Sequence, residues 1–194
     1  GCHIFDPVFS ALGLERIESV VSKGPAHTGD GYAADSDVTY VFEPTPQTAG
    51  KLTFRWTDGS GPSRPARERA ELPAGVDLPD SGSFLVGEKG VMVLPHWAMP
   101  TFYRAGQALE IAVDSRGSGD HYHEFIDAVR GEGQTSTPFR YAGPVTECVL
   151  VGVAAAAFPG KALRWDSRAL RFDDAAANAL VVRSYRDGWK PRLG

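Results

Sequence analysis

The chain has 194 residues, 42% of them hydrophobic and 23% charged, with a formal net charge of -4 and a pI of about 5.7. That length suits one sizeable domain with its own core and is short for two. Lys and Arg are scattered, densest at Arg64, Arg67 and Arg69, which argues against a nucleic-acid-binding face, and no apolar run approaches the roughly 20 residues of a membrane span.

The sequence opens on Gly1-Cys2-His3-Ile4-Phe5-Asp6-Pro7. Ile4, Phe5, Val8, Phe9 and Leu12 recur at helical spacing and Gly13 is a stop signal, which predicts a helix over His3 to Leu12. Pro7 fits the first turn of such a helix, where a missing N–H is tolerated. Arg16 to Ser22 reads as a strand closed by Gly24-Pro25. Ser36 to Glu43 and Lys51 to Thr57 alternate apolar with polar residues, as strands with one buried face do. Gly59 to Asp80, rich in Gly, Pro, Arg and Glu, reads as a long surface excursion, the kind of loop that often carries function.

Ser83 to Val86 and Gly90 to Leu94 flank Gly87-Glu88-Lys89-Gly90 and predict a hairpin with its glycines at positive φ. Pro95 to Ala112 shows no period and is read as irregular. A polar turn, Asp114 to Asp120, leads into a helix from His121 to Arg130, with Phe125, Ile126 and Val129 at helical spacing and Gly131 at its end. Gly143-Pro144 opens a further helix that runs to about Phe158, where Pro159-Gly160 stops it. Leu163 to Trp165 and Leu170 to Phe172 read as short strands, and Ala175 to Val182 as a helix. The aromatic tail Tyr185 to Trp189 is expected to dock. Helices and strands are segregated, so the expected class is α+β: an open, mostly antiparallel β-sheet with helices packed on one face.

No G-x-G-x-x-G opening a βαβ unit, no Walker loop and no G-x-S-x-G occurs. The sharpest candidates for chemistry are His3 and Asp6, which share a helix face at i and i+3. A His beside a carboxylate is held in one tautomer and can act as a general base near neutral pH. The same spacing also suits a capping His and a helix-start carboxylate favoured by the dipole, and local spacing alone favours that structural use. His121 and His123 could ligate a metal, but with no third ligand identified beside them they are read as polar residues at a helix start. His27 and His96 are assigned loop or surface roles. Trp56, Trp97, Trp165 and Trp189 could stack on a sugar, although core packing is the commoner use. Cys2 and Cys148 both lie in apolar segments and are expected as buried free thiols. A lipid-anchored Gly-Cys terminus is set aside, because a core-like segment follows at once.

Several segments together, in collinear order, resemble the second half of the glucose–fructose oxidoreductase / inositol dehydrogenase (Gfo/Idh/MocA) family. The opening Gly1 to Leu14 is similar to the family's Asp, three residues, His, two residues, Asp pattern, followed by a helix ending near Gly-Leu. Val86 to Met92 resembles its strand–Gly-x-x-Gly–strand hairpin, and His123 to Gly131 its late helix. Phe139 to Glu147 with the apolar helix after it, and then Leu163 to Asp166, resemble the C-terminal end of one bacterial subgroup. Family members join an N-terminal Rossmann domain to a C-terminal α+β domain, and the resemblance covers only the latter. It implies a C-terminal substrate-binding and oligomerisation domain over residues 1–194. His3 matches the family's catalytic His and Asp6 a substrate-contacting position. The family's first Asp would fall two residues before Gly1, so the chain is expected to be part of a larger protein, cut inside its own site.

The implied activity is NAD(P)-dependent oxidation of a sugar, polyol or related compound. NAD or NADP is expected in the full-length protein and none in this fragment. The implied partners are a small sugar or polyol, the missing Rossmann domain and further copies of the chain through the sheet, with neither nucleic acid nor membrane; the expected location is the cytoplasm. NAD-dependent glycoside hydrolysis, as in some family members, and a non-catalytic carbohydrate-binding or assembly module are the alternatives.

Overall fold

The computed structural model describes residues 1–27, 31–59, 72–112, 119–182 and 184–190. Most of the expected surface excursion (60–71) and much of the polar turn (113–118) lie outside them. In chain order the described elements are α1 (Cys2–Leu12), β1 (Ile17–Ser22), β2 (Ser36–Phe42), β3 (Leu52–Asp58), β4 (Gly82–Gly87), β5 (Gly90–Pro95), β6 (Thr101–Arg104), β7 (Gln107–Leu109), α2 (His121–Arg130), α3 (Phe139–Ala155), β8 (Leu163–Asp166), β9 (Arg171–Phe172) and α4 (Ala175–Asn178). The fold is α+β, and its strands form two antiparallel sheets, of five and four strands, where the sequence reading expected one. The chain divides into two compact units, Gly1–Ala11 with Arg64–Thr146 and Leu12–Ser63 with Glu147–Gly194.

The second of these units holds the five-stranded sheet, in the order β3-β2-β1-β8-β9. The alternation in β2 buries Val38, Tyr40 and Phe42. On β3, Phe54 lies opposite Tyr40 and meets both Tyr40 and Phe42 edge-on, at 6.0 and 6.2 Å. Such ring pairs add about 0.5–1.5 kcal/mol beyond the area they bury. Across the outer face, Arg55 donates from Nε and a terminal nitrogen to the two Asp37 oxygens, at 2.8 and 2.7 Å. That fork holds the Asp37 carboxyl below its usual range.

Tyr40 also sets how closely α3 approaches. A Cβ at Gly152 would lie 1.8 Å from the Tyr40 hydroxyl, so only glycine lets the helix backbone come this near. Cys148, one turn earlier on the same face, is buried, and burial pushes both the Tyr40 hydroxyl and the Cys148 thiol well above their ordinary values. At the far side of the sheet, Trp165 is buried edge-on to Phe172 and donates from its indole nitrogen to Glu147 Oε1 at 2.6 Å.

The first unit holds the four-stranded meander β4-β5-β6-β7. Val91 and Val93 are buried, with Phe84, Tyr103, Leu72 and Leu78 packed against them. The expected hairpin is present; of its two flanking glycines, Gly90 has positive φ, at +149°, and a Cβ there would strike the Tyr103 carbonyl at 2.2 Å. The stretch read as irregular contains β6 and β7. They are four and three residues long, too short for an alternation to register, and their turn is Ala105-Gly106, both at positive φ, in place of the Asn-Gly that usually announces such a hairpin.

The helix boundaries moved for physical reasons. α3 begins at Phe139, with Tyr141 and Ala142 N–H groups bonding back to the Pro138 carbonyl, so Pro144 lies inside the helix. Pro7 likewise lies in the second turn of α1, because that helix begins at Cys2. α4 is a single turn; beyond it Leu180 and Val181 bond three residues back and the helix does not continue to Val182. α2 ends as expected at Gly131, at φ 79°, and its start is capped by Asp120, which the sequence reading placed in the polar turn. The aromatic tail is not docked: Tyr185 and Trp189 are exposed, and the Arg186 guanidinium lies 3.9 Å over the Trp189 ring.

Replacing Gly152 with Ala should therefore destabilise the fold by about 1–3 kcal/mol, although alanine is the better helix former. Adding Tyr40→Phe should recover part of the loss, because it removes the nearest clashing atom. Urea unfolding of the two variants and the parent checks this; a neutral Gly152→Ala would remove the close approach from the account.

Candidate functional site

α1 is built to hold one face inward and present another. Phe5, Val8 and Phe9 are each about 3% exposed, while Cys2, His3 and Pro7 are exposed and Asp6 is half-buried. The Ile4 and Phe5 N–H groups both bond to the Gly1 carbonyl, at 3.0 and 3.1 Å, and close the first turn. Pro7 has no N–H, so the His3 carbonyl lacks the partner that an ordinary helix would supply. Ser83 Oγ, on β4, donates to the Ile4 carbonyl at 3.4 Å.

The decisive contact is long-range. Tyr141, in the first turn of α3, donates its hydroxyl to Asp6 Oδ1, and the same oxygen is 3.4 Å from the Asp6 carbonyl. Its ring lies edge-on to Phe9 with centroids 6.5 Å apart. Burial above all, and then the Asp6 carboxylate, push the Tyr141 hydroxyl up to about 12, with a Ser10 hydrogen bond opposing. The phenol is therefore a fixed neutral donor through the physiological range. It engages one carboxylate oxygen of Asp6 and holds that carboxylate in one orientation.

His3 finds a different neighbour. Its ring stacks on that of His96, with centroids 6.2 Å apart and planes 25° apart. His96 follows directly on β5 and is anchored by its N–H to the Ser81 carbonyl at 3.0 Å. Trp97 leans on His96, with centroids 4.3 Å apart. His3, His96 and Trp97 thus form a row of three rings beside the Asp6–Tyr141 pair, all within one compact unit. The sequence reading named His3 and Asp6, gave His96 a loop or surface role and assigned no site role to Tyr141. For the four tryptophans it held core packing the commoner use and stacking on a sugar the alternative; Trp97 is 90% exposed. The local hint was available: His96-Trp97 directly follows β5, where side chains leave the core.

The remaining candidates are structural. His123 Nδ1 lies 2.8 Å from Asp120 Oδ2, and Asp120 also accepts from the Tyr122 and His123 N–H groups. These bonds hold the Asp120 carboxyl below its usual range. Asp120 is the carboxylate that the sequence reading did not credit to this pair, and it acts as a helix cap. His121 packs its ring against Tyr122, and His27 meets Tyr32 edge-on. Among the described residues no group of three or more His, Cys, Asp or Glu is placed to hold a metal ion. Trp56 donates to Asp58 Oδ2 at 2.8 Å. Cys148 is a buried free thiol as expected, but Cys2, at the first residue of α1, is exposed.

A shallow groove of about 600 Å³ runs along β6 and β7, lined by Phe102, Tyr103, Leu109 and Ile111 among others, and none of the candidate residues borders it. Every strand pairing among the described residues is antiparallel, so they contain no βαβ unit. No helix among the described residues is long and apolar enough to cross a membrane. No protein-family model matches the chain, and no curated protein matches it either.

Two measurements probe this geometry. A thiol reagent should modify Cys2 in the folded chain and leave Cys148 unmodified until denaturant is added, as mass spectrometry of labelled peptides can show; equal labelling of both in the folded state would contradict the burial. For Tyr141, the hydroxyl titrates higher in the folded chain than the ordinary 10.0, so its contribution is complete below about pH 10 and is lost as pH rises towards 12. Thermal melts of parent and Tyr141→Phe should show the parent's advantage shrinking over that alkaline window and constant below it.

Proposed function

We propose that the chain is the substrate domain of an NAD(P)-dependent oxidoreductase acting on a sugar, polyol or related compound, of the Gfo/Idh/MocA type that its sequence resembles. The observation that carries this reading is the exposed His3 ring one helical turn from a carboxylate that Tyr141 holds in place. Oxidising an alcohol carbon requires the hydroxyl proton to leave as hydride departs. An exposed neutral imidazole can accept that proton at a ring nitrogen, and the oriented Asp6 carboxylate can accept a hydrogen bond from a neighbouring hydroxyl. NAD or NADP would supply the hydride acceptor, held by residues outside the described ones. Assembly with such a domain and, through the sheet, with further copies of the chain is part of the same proposal.

The test uses the full-length protein. With NAD⁺ or NADP⁺ and a panel of aldoses and inositols, substrate oxidation should appear as reduced nicotinamide, and His3→Gln should lower kcat by about 10²–10⁴-fold with the fold intact. Unchanged turnover in His3→Gln would end the proposed role of His3. Glycoside cleavage with no net nicotinamide reduction would replace oxidation with redox-assisted hydrolysis. Micromolar NAD(P) binding by the 194-residue chain alone, measured by isothermal titration, would contradict the assignment of the cofactor to other residues.

A further inference from the structure

α2 presents its faces the wrong way round for a surface helix. Tyr122, Phe125, Ile126 and Val129 fall at i, i+3, i+4 and i+7, the spacing of a stripe that normally packs inward. Here they are between 50 and 75% exposed, and no residue of the helix is buried. Glu124, Asp127 and Ala128, on the opposite side, are the half-buried ones. Glu124 accepts from the Ser136 N–H, and Asp120 and Gly131 cap the two ends. Polar bonds thus hold the helix with its apolar stripe turned to solvent.

Four neighbouring apolar side chains in water are unfavourable, and their spacing is that of a helix seated against another helix. Charge and area say which helix. The stripe has Asp120 at its start and Arg130 at its end, each with more than half of its side chain exposed. A second copy laid antiparallel, about a twofold axis between Phe125 and Ile126, sets Tyr122 against Val129 and Phe125 against Ile126. It also brings Arg130 of each copy towards Asp120 of the other, whereas a parallel copy would bring like charges together. Arg130 already pairs with Glu132 of its own chain at 3.0 Å, so the charges set orientation more than affinity. The exposed parts of the four side chains amount to roughly 400 Å² per copy, taking about 150–250 Å² for a whole aromatic side chain and less for an aliphatic one. Two stripes with their polar rims come to about 1,000 Å², the least that a specific interface requires and the size of a reversible one. We propose that α2 is a dimerisation helix, through which two copies of the chain pair antiparallel on the Tyr122, Phe125, Ile126 and Val129 stripe. The pairing uses neither the sheets nor the His3 site, so it stands apart from the oxidoreductase reading.

Sedimentation equilibrium of the 194-residue chain should show a reversible monomer–dimer equilibrium, with a Kd on the order of 10 µM. Ile126→Glu should raise that Kd at least about tenfold, since the twofold axis places the substitution in the interface twice. Val86→Glu, on the β4–β5 hairpin and about as exposed as Phe125, should leave it unchanged. Because Ile126 is half exposed, the Ile126→Glu monomer should stay folded, which its circular dichroism and melting curve check. Geometry is read by cross-linking. In a Cys2→Ser background, Tyr122→Cys with Val129→Cys should form, on mild oxidation, disulfides between position 122 of one chain and position 129 of the other. A chain that stays monomeric up to about 1 mM, an Ile126→Glu chain that dimerises as the parent does, or a link from 122 to 122 would each overturn the proposal. So would a monomeric full-length protein in which Ile126→Cys resists thiol labelling, because its own further residues would then cover the stripe.

Discussion

The hydrogen bond from the Tyr141 hydroxyl to Asp6 joins residues 135 positions apart, and the candidate site depends on it. α1 has little helical stability of its own. It is 11 residues long, has no acidic residue in its first turn, and carries a proline inside it. Isolated helices of that length are marginal in water, so tertiary packing must hold α1 in place. The buried Phe5, Val8 and Phe9 supply the apolar part of that hold. They fix which face points inward but not the rotation of individual polar groups. Tyr141 supplies the directional part, by engaging the Asp6 side chain and placing its ring edge-on against Phe9. With α1 so fixed, His3 projects from the first turn to meet His96.

The same division between apolar hold and polar direction recurs in the other unit. Tyr40 is buried on β2, its ring packed edge-on against Phe54, and its hydroxyl sits where the absent side chain of Gly152 would be. Glycine at that position costs helix propensity, about 1 kcal/mol relative to alanine. The cost is offset by a close approach that buries Cys148 and Val151. In both units one tyrosine hydroxyl marks where a helix is held, against a carboxylate in one and against bare backbone in the other.

What the sequence made legible was local. The helical spacing of Phe5, Val8 and Phe9, the alternation in β2 and β3, the glycine that the β4–β5 turn requires at Gly90, and the Gly131 stop all follow from neighbours a few positions apart, and each is present. The i, i+3 placement of His3 and Asp6 was legible for the same reason. Tyr141 and His96 were not, because their significance lies in contacts across most of the chain, which no local period encodes. β6 and β7 escaped because they are four and three residues long and their turn, Ala105-Gly106, places an alanine where Asn or Asp usually announces a hairpin. The division of the strands between two sheets escaped because strand order depends on which edges meet, and alternation reports only which face is buried.

A double-mutant cycle on Asp6 and Tyr141 tests the central claim most directly. Stability of the parent, Asp6→Asn, Tyr141→Phe and the double variant, measured by urea unfolding, yields the coupling between the two side chains. A hydrogen bond to a charged acceptor that fixes α1 should give a coupling of about 1.5–3 kcal/mol. Additive effects, with no coupling beyond error, would show that α1 is placed without this bond and would contradict the account of how the His3 and Asp6 site is held.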